Sequence, residues 1–300
     1  MTAVLVSGGT GLVGRYIVED LVAHGYTVKI GSRHAPAQGL FSGAVEHVQL
    51  TLDPDADNSC AFDEVAHFVH AGFSHVPGRY RGGEGDDPEG FRRANLDGTL
   101  ALFETARRAG LRRVVLLSSR AVYDGAQDGA DLEEDMDLEP ATLYGEIKLK
   151  AEQALAFMTA ESPGFFGTSL RVTGVYGDKR PNKWDGLFAD YLAGRPVPAR
   201  AGSEVHGHDL AAACRLVLEA DTPKVAGRSF NISDIVTDTR AILEILQQAT
   251  GSRHPLPAPA DRSAVAEMST ERIRALGWIP GGEALLDETV TRLAESFSAS

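Results

Sequence analysis

The sequence of 300 residues predicts an α/β fold: a doubly wound parallel sheet with a smaller C-terminal lobe. Three observations predict it. Short β-branched runs alternate with longer amphipathic ones from Ala3 to Val172, the rhythm of parallel strands joined by helices. A glycine-spaced turn, Ser7-Gly8-Gly9-Thr10-Gly11-Leu12-Val13-Gly14, links the first strand-like run to the first helical one. After Gly177 the alternation gives way to sequence punctuated by Pro and Gly.

In chain order, Ala3 to Val6 reads as a strand and Val13 to Ala23 as an amphipathic helix, with Leu12, Tyr16, Ile17 and Leu21 inward. Strands follow at Thr27 to Ile30, Val48 to Leu52 and His67 to His70, then a helix from Phe91 to Ala109. The run Arg113 to Ser119 is the next strand, Tyr144 to Met158 the next helix, and Thr168 to Val172 a further strand. Ser74 to Gly90 and Asp124 to Glu139 are acidic and rich in turn formers, so they read as surface loops flanking a cleft. Beyond Gly202 come a helix from His208 to Glu219, a strand from Ser229 to Ile232 and a helical tail broken by Pro255, Pro257 and Pro259. Residues 1–177 with 205–235 are expected to form the main domain, and 178–204 with 236–300 the smaller lobe.

Lys plus Arg number 29 against 42 Asp plus Glu, a net charge of −13, which excludes a phosphate-neutralising nucleic-acid surface. Cys60 and Cys214 have neither disulfide nor metal-ligand spacing, and both are expected in the core. No metal site is expected. The N-terminus lacks a signal peptide's basic flank, and no apolar run approaches the roughly 18 residues of a membrane span, so a cytoplasmic protein is expected.

The glycine turn has a physical logic. Gly8 permits the tight turn after the strand, Gly11 lets the amides at Leu12 and Val13 approach a pyrophosphate, and Gly14 lets the helix pack on the sheet. This is the dinucleotide turn of a Rossmann domain. Gly31, Ser32 and Arg33 close the second strand without the carboxylate that would hold an NAD ribose. Ser32 and Arg33 instead suit the 2′-phosphate of NADP, with NAD as the alternative. Asp53 is the candidate for the adenine amino group.

A phenol with a pKa near about 10 is a poor base at neutral pH unless a cation lies beside it. Tyr144 and Lys148 share a helix face, and Ser119 ends the preceding strand. Ser119 would then hydrogen-bond a substrate oxygen and Tyr144 exchange its proton. Lys148 would acidify the phenol and hold the nicotinamide ribose.

Together these segments resemble the extended short-chain dehydrogenase/reductase family, in its epimerase/dehydratase branch. Gly8, Gly11 and Gly14 match its TGxxGxxG loop, with Ser7 in place of Thr, and Ser118 to Tyr123 is similar to its SSxxVYG. Val69-His70-Ala71-Gly72 looks like its HxAA strand end, which implies Ala71 and Gly72 at the cofactor. Asn95 matches its NxxGT helix, which implies a water chain to Lys148. Leu170 to Gly177, Val205 to Ala211, Phe230 to Ile232 and Leu276 to Pro280 fit later segments.

The departures are informative. Arg120 and Ala121 stand where 4,6-dehydratases carry Asp and Glu, and neither cysteine suits a GDP-fucose synthase type. Thr173 replaces an Asn common in nucleotide-sugar enzymes. The segment Pro196 to Val205 is short where they present pyrophosphate-binding arginines, leaving Arg195 and Arg200 as candidates. The resemblance implies NAD(P)-dependent oxidoreduction at a carbonyl or alcohol carbon of a sugar-like or nucleotide-sugar substrate, with a C-terminal substrate-binding lobe. Alternatives are net-neutral epimerisation over tightly held NAD, reduction of small aldehydes or ketones, and a non-catalytic NADP sensor. It also implies a homodimer paired through Phe91 to Ala109 and Ala141 to Met158.

Overall fold

In a computed structural model, residues 2–76, 82–126 and 131–298 are described, so 77–81 and 127–130, inside the two expected loops, lie outside the described residues. The first half runs β1 (Ala3–Ser7), α1 (Leu12–Ala23), β2 (Thr27–Ser32), β3 (Glu46–Gln49), β4 (His67–His70), α2 (Pro88–Arg92), α3 (Gly98–Arg108), β5 (Arg113–Ser119), α4 (Leu143–Glu161) and β6 (Phe166–Val172). The second runs β7 (Gly174–Tyr176), α5 (Asp185–Leu192), β8 (Ala201–His206), α6 (Gly207–Glu219), α7 (Thr222–Val225), β9 (Ser229–Ile232), β10 (Ile235–Asp238), α8 (Thr239–Thr250), α9 (Glu271–Arg274) and α10 (Gly282–Ser298).

Seven strands form one sheet in the order β3-β2-β1-β4-β5-β6-β9, every neighbouring pair parallel. Both faces are covered by helices, which is why β1 and β5 read as continuous apolar runs rather than as alternating ones. On one face Tyr16 and Ile17 of α1 pack with Leu210 and Val217 of α6. On the other, Leu102 and Phe103 of α3 pack with Ile147 and Leu155 of α4. Chain order reverses between β1 and β4, and ligands of such sheets bind at the carboxyl ends of the strands beside that reversal.

A second sheet, β10-β8-β7, lies over a separate core built from α5, α8 and α10, with Phe188, Leu243 and Val290 at its centre. The segment Leu276 to Pro280 docks on α6: the Trp278 indole donates to the Asp209 carbonyl at 2.8 Å, and Gly281 N donates to the Asp209 carboxylate at 3.0 Å. Among the described residues no helix is long and apolar enough to cross a membrane.

Three expectations need adjusting. β3 ends at Gln49 rather than Leu52, because it is an edge strand paired only with β2. The helix from Phe91 to Ala109 starts earlier, at Pro88, where the Asp87 carboxylate accepts from Gly90 N at 2.8 Å, and a π-helical turn at Arg93–Asp97 interrupts it. Cys60 is exposed, not in the core. Its short 3₁₀ turn buries the adjacent Ala61 and Phe62 instead, and only Cys214 is buried.

Candidate active site

One cleft of about 1730 Å³ crosses the carboxyl ends of the strands, and the glycine turn, Ser119, Tyr144 and Lys148 all line it. Its volume exceeds the ~300–1,000 Å³ of a typical single-ligand pocket, leaving room for a dinucleotide and a second molecule.

At one end the α1 N-terminus opens into the cleft with no side chain capping it, so first-turn N–H groups are left to face an anion. Gly8 turns the chain with φ 67°, a left-handed conformation that a side chain would strain. A Cβ on Gly14 would lie 2.2 Å from the Gly8 carbonyl oxygen, so the first turn of α1 fits against the loop only as glycine. At Gly11 a Cβ would lie 3.2 Å from the same carbonyl oxygen, a tighter approach than side chains ordinarily make. This cradle fits a dinucleotide pyrophosphate.

Beneath the turn, His70 Nδ1 is 2.6 Å from the Ser7 hydroxyl and Nε2 is 2.9 Å from Thr99 Oγ1, while Gly72 N donates to Ser7 Oγ at 3.3 Å. Burial, with a smaller effect from Lys148, drives the imidazole down to about 3, so His70 is a neutral strut. Ala71 and Gly72 line the cleft beside it.

Beyond β2, Arg33 is exposed on the cleft rim, and the Ser32 hydroxyl donates to the His34 carbonyl at 2.7 Å. Asp53 also lines the cleft, but one of its oxygens is taken by Arg93 at 3.0 Å, the bond that holds its carboxyl below the usual range.

At the strand ends, Thr142 caps α4 by accepting from Gly145 N at 3.1 Å, which fixes the helix start at Leu143, one residue before Tyr144. A Cβ on Gly145 would lie 2.4 Å from the Ala121 carbonyl; glycine therefore lets α4 approach the turn that follows Ser119. Lys148, only 6% exposed, donates to the Leu117 carbonyl at 2.7 Å and lies 4.6 Å from the Phe73 ring centroid and 5.9 Å from that of Tyr144. Tyr144 and Phe73 meet edge to face at 5.1 Å. Burial lowers the Lys148 ammonium to about 8, and Glu152 opposes that fall. Ser119 Oγ accepts from Ala121 N at 3.2 Å, leaving its own hydrogen to donate into the cleft.

Asn95 lies in the π-helical turn. Its amide donates to the Ser74 carbonyl at 2.7 Å and the Phe91 carbonyl at 3.0 Å, and its oxygen accepts from Ser74 N at 2.6 Å. That leaves one oxygen lone pair for any water.

Sequence reasoning missed Phe73, Glu152 and Arg171. Arg171 forks onto Glu152 at 3.0 and 2.8 Å, the Ser118 hydroxyl donates to the same carboxylate, and Arg171 Nη1 donates to the Tyr123 hydroxyl at 2.7 Å and the Glu134 carbonyl at 2.9 Å. Tyr123 donates onward to Asn231 Oδ1 at 2.8 Å. Positions 144, 148 and 152 follow one another on a single helix face, a signal that could have found Glu152. Arg120 donates to the Ala266 carbonyl at 2.9 Å and so ties the C-terminal segment to the cleft wall. Arg195 pairs with Asp190 on the surface, whereas Arg200 reaches the cleft.

The profile of the NAD dependent epimerase/dehydratase family matches residues 4–233. The chain belongs to that family. A UDP-glucose 4-epimerase of Corynebacterium glutamicum is 29% identical over 92% of this chain and 90% of its own. A sterol-4-alpha-carboxylate 3-dehydrogenase, decarboxylating, of Mus musculus is 29% identical over 59% of this chain and 46% of its own. Among solved structures, the Thermus thermophilus UDP-glucose 4-epimerase in complex with NAD superposes with a TM-score of 0.77 at 26% identity, over 97% of this chain and 98% of that one. The family membership makes this protein an enzyme of the NAD(P)-dependent oxidoreductase and epimerase type.

Proposed function

We propose that this enzyme reversibly oxidises a secondary carbinol of a sugar-like substrate, as the redox half of an epimerisation or as a net reaction. The observation that carries this is the buried ammonium of Lys148 beside Tyr144, on the cleft that also receives the glycine turn. The relatives named as UDP-glucose 4-epimerases support chemistry at a sugar carbon.

Ser119 donates to the substrate oxygen and fixes it against Tyr144. Tyr144, as phenolate, takes the hydroxyl proton when the carbinol is oxidised and returns it when the carbonyl is reduced. Lys148 stabilises that phenolate, and the Leu117 carbonyl leaves two of its N–H groups for the phenol and the nicotinamide ribose. Phe73 keeps water from the ammonium, and Asn95 holds Phe73 in place through Ser74. A bound nicotinamide would accept the hydride released from the carbinol carbon and give it back. Residues 1–177 with 205–235 hold the dinucleotide, and 178–204 with 236–300 complete the substrate side.

The test is to follow nicotinamide absorbance and product stereochemistry over a panel of aldoses, ketoses and nucleotide sugars. Turnover that survives intact in Tyr144→Phe sinks the assignment.

NADP is the preferred cofactor in this reading, because Arg33 stands where a carboxylate would repel a 2′-phosphate. Arg33→Ala is expected to weaken NADP about tenfold or more, the scale of a charge-assisted contact, while NAD changes little. Equal losses for both cofactors, measured by fluorescence titration, would contradict it. The enzyme pairs as a homodimer through the outer faces of α3 and α4, where Phe157 is 67% exposed. Light scattering that returns the 32.0 kDa of one chain refutes the pairing.

A further inference from the structure

The hydride chemistry leaves one ion pair on the cleft wall unused. Asp53 follows β3, the edge strand beside β2, and Arg93 opens the π-helical turn; both line the cleft. The loop is built around Asp53. Its N–H donates to Thr51 Oγ1 at 3.2 Å, and the buried Asn58 pins Thr51 in turn, accepting from Thr51 N at 3.1 Å and donating to the Thr51 carbonyl at 3.2 Å. On the other side, a Cβ on Gly98 would lie 2.0 Å from the Leu52 carbonyl oxygen, so glycine lets the start of α3 close on the residue before Asp53. Arg93 spans that contact: Nη1 donates to Asp53 Oδ1 at 3.0 Å, and Nη2 donates to the Asp55 carboxylate. Oδ1 also accepts from Asp55 N at 3.2 Å. Two donors therefore hold one oxygen of the Asp53 carboxylate, and among the described residues no hydrogen bond is made to Oδ2.

We infer that Arg93 is the positioning residue through which the enzyme reads the purine of its dinucleotide, by turning Asp53 so that Oδ2 accepts from a 6-amino group. The inference rests on the dinucleotide seat proposed above and on Asp53 as the adenine partner, and adds the residue that orients the carboxylate. A 6-oxo purine presents a carbonyl oxygen where adenine presents an amino group, and an oxygen there repels a carboxylate instead of donating to it. The Arg93 hydrogen bond holds the Asp53 carboxyl below its usual range, so the acceptor stays ionised. The Arg93 side chain is 48% exposed and that of Asp53 53%, so the pair adds little to stability. What it fixes is which oxygen is left for the base.

Competition against bound NADPH or NADH, read by nicotinamide fluorescence, tests this without turnover. The probes are NADP, NAD and the analogues of each in which hypoxanthine replaces adenine. The wild type is expected to bind the adenine form about tenfold or more tightly than the hypoxanthine form, the scale of a hydrogen bond to a charged group. Arg93→Met should cut that preference to about threefold or less at an unchanged unfolding midpoint, and Arg93→Lys should restore part of it. The orientation itself is read by Asp53→Asn. With the amide oxygen held by Arg93 and Asp55 N, the amide NH₂ takes the place of Oδ2, and the preference is expected to invert towards hypoxanthine. In Asp53→Asn/Arg93→Met the amide can turn, and the inversion should disappear. A wild type indifferent to the base, a preference unchanged in Arg93→Met, an Asp53→Asn protein that still favours adenine, or an inversion that survives the double substitution each overturns the inference. Ratios within one cofactor pair cancel the 2′-phosphate, so loss of the NADP or the Tyr144 assignment would leave them standing.

Discussion

Replacing Tyr144 with Phe is expected to lower kcat by about 10²–10⁴-fold, the range of a lost general acid–base, with an unchanged unfolding midpoint. The ring that packs on Phe73 at 5.1 Å is retained, so only the exchangeable proton is removed. Steady-state kinetics with circular dichroism on the same sample separate the two effects. The neighbouring charge sets the pH profile of the wild type. Lys148 is an ammonium below about 8 and neutral above it, and without the ammonium the phenol loses what makes it acidic. kcat/KM is therefore expected to fall as pH rises past about 8. Glu152 favours the ammonium, so Glu152→Gln should move that limb to lower pH. A limb that moves upward would show that Glu152 does not act on Lys148.

Much of this site was legible in the sequence because its parts are local. The glycine turn needs only a strand, three glycines and a helix start, and Tyr144 and Lys148 need only a helical repeat. The β5 end reads true because a central strand carries an unbroken apolar run that stops where the cleft begins. What the sequence hid depends on partners distant along the chain. Arg171 has no visible partner until β6 is placed beside α4 and its guanidinium meets Glu152. Cys60 was misplaced for the same reason. Its neighbours Ala61 and Phe62 are the ones the fold buries, and a turn of four residues has too little periodicity to say which face is inward.

Arg171→Met is expected to destabilise the fold by about 3–5 kcal/mol, the cost of leaving one member of a buried ion pair without its partner. Glu152 is 4% exposed on its side chain and Arg171 6%, so water cannot take the place of the lost guanidinium. The loss spreads because Arg171 also donates to Tyr123 and to the Glu134 carbonyl, and Tyr123 in turn holds Asn231 of β9. These contacts join α4, β6, β9 and the 131–134 segment below the catalytic residues. Introducing Glu152→Gln alongside Arg171→Met removes the uncompensated charge, so the double variant should be more stable than Arg171→Met alone. Urea unfolding of the wild type, both single variants and the double closes that cycle. If the two losses simply add, the pair is not a coupled unit, and the support it gives to the helix bearing Tyr144 and Lys148 must come from apolar packing against α3.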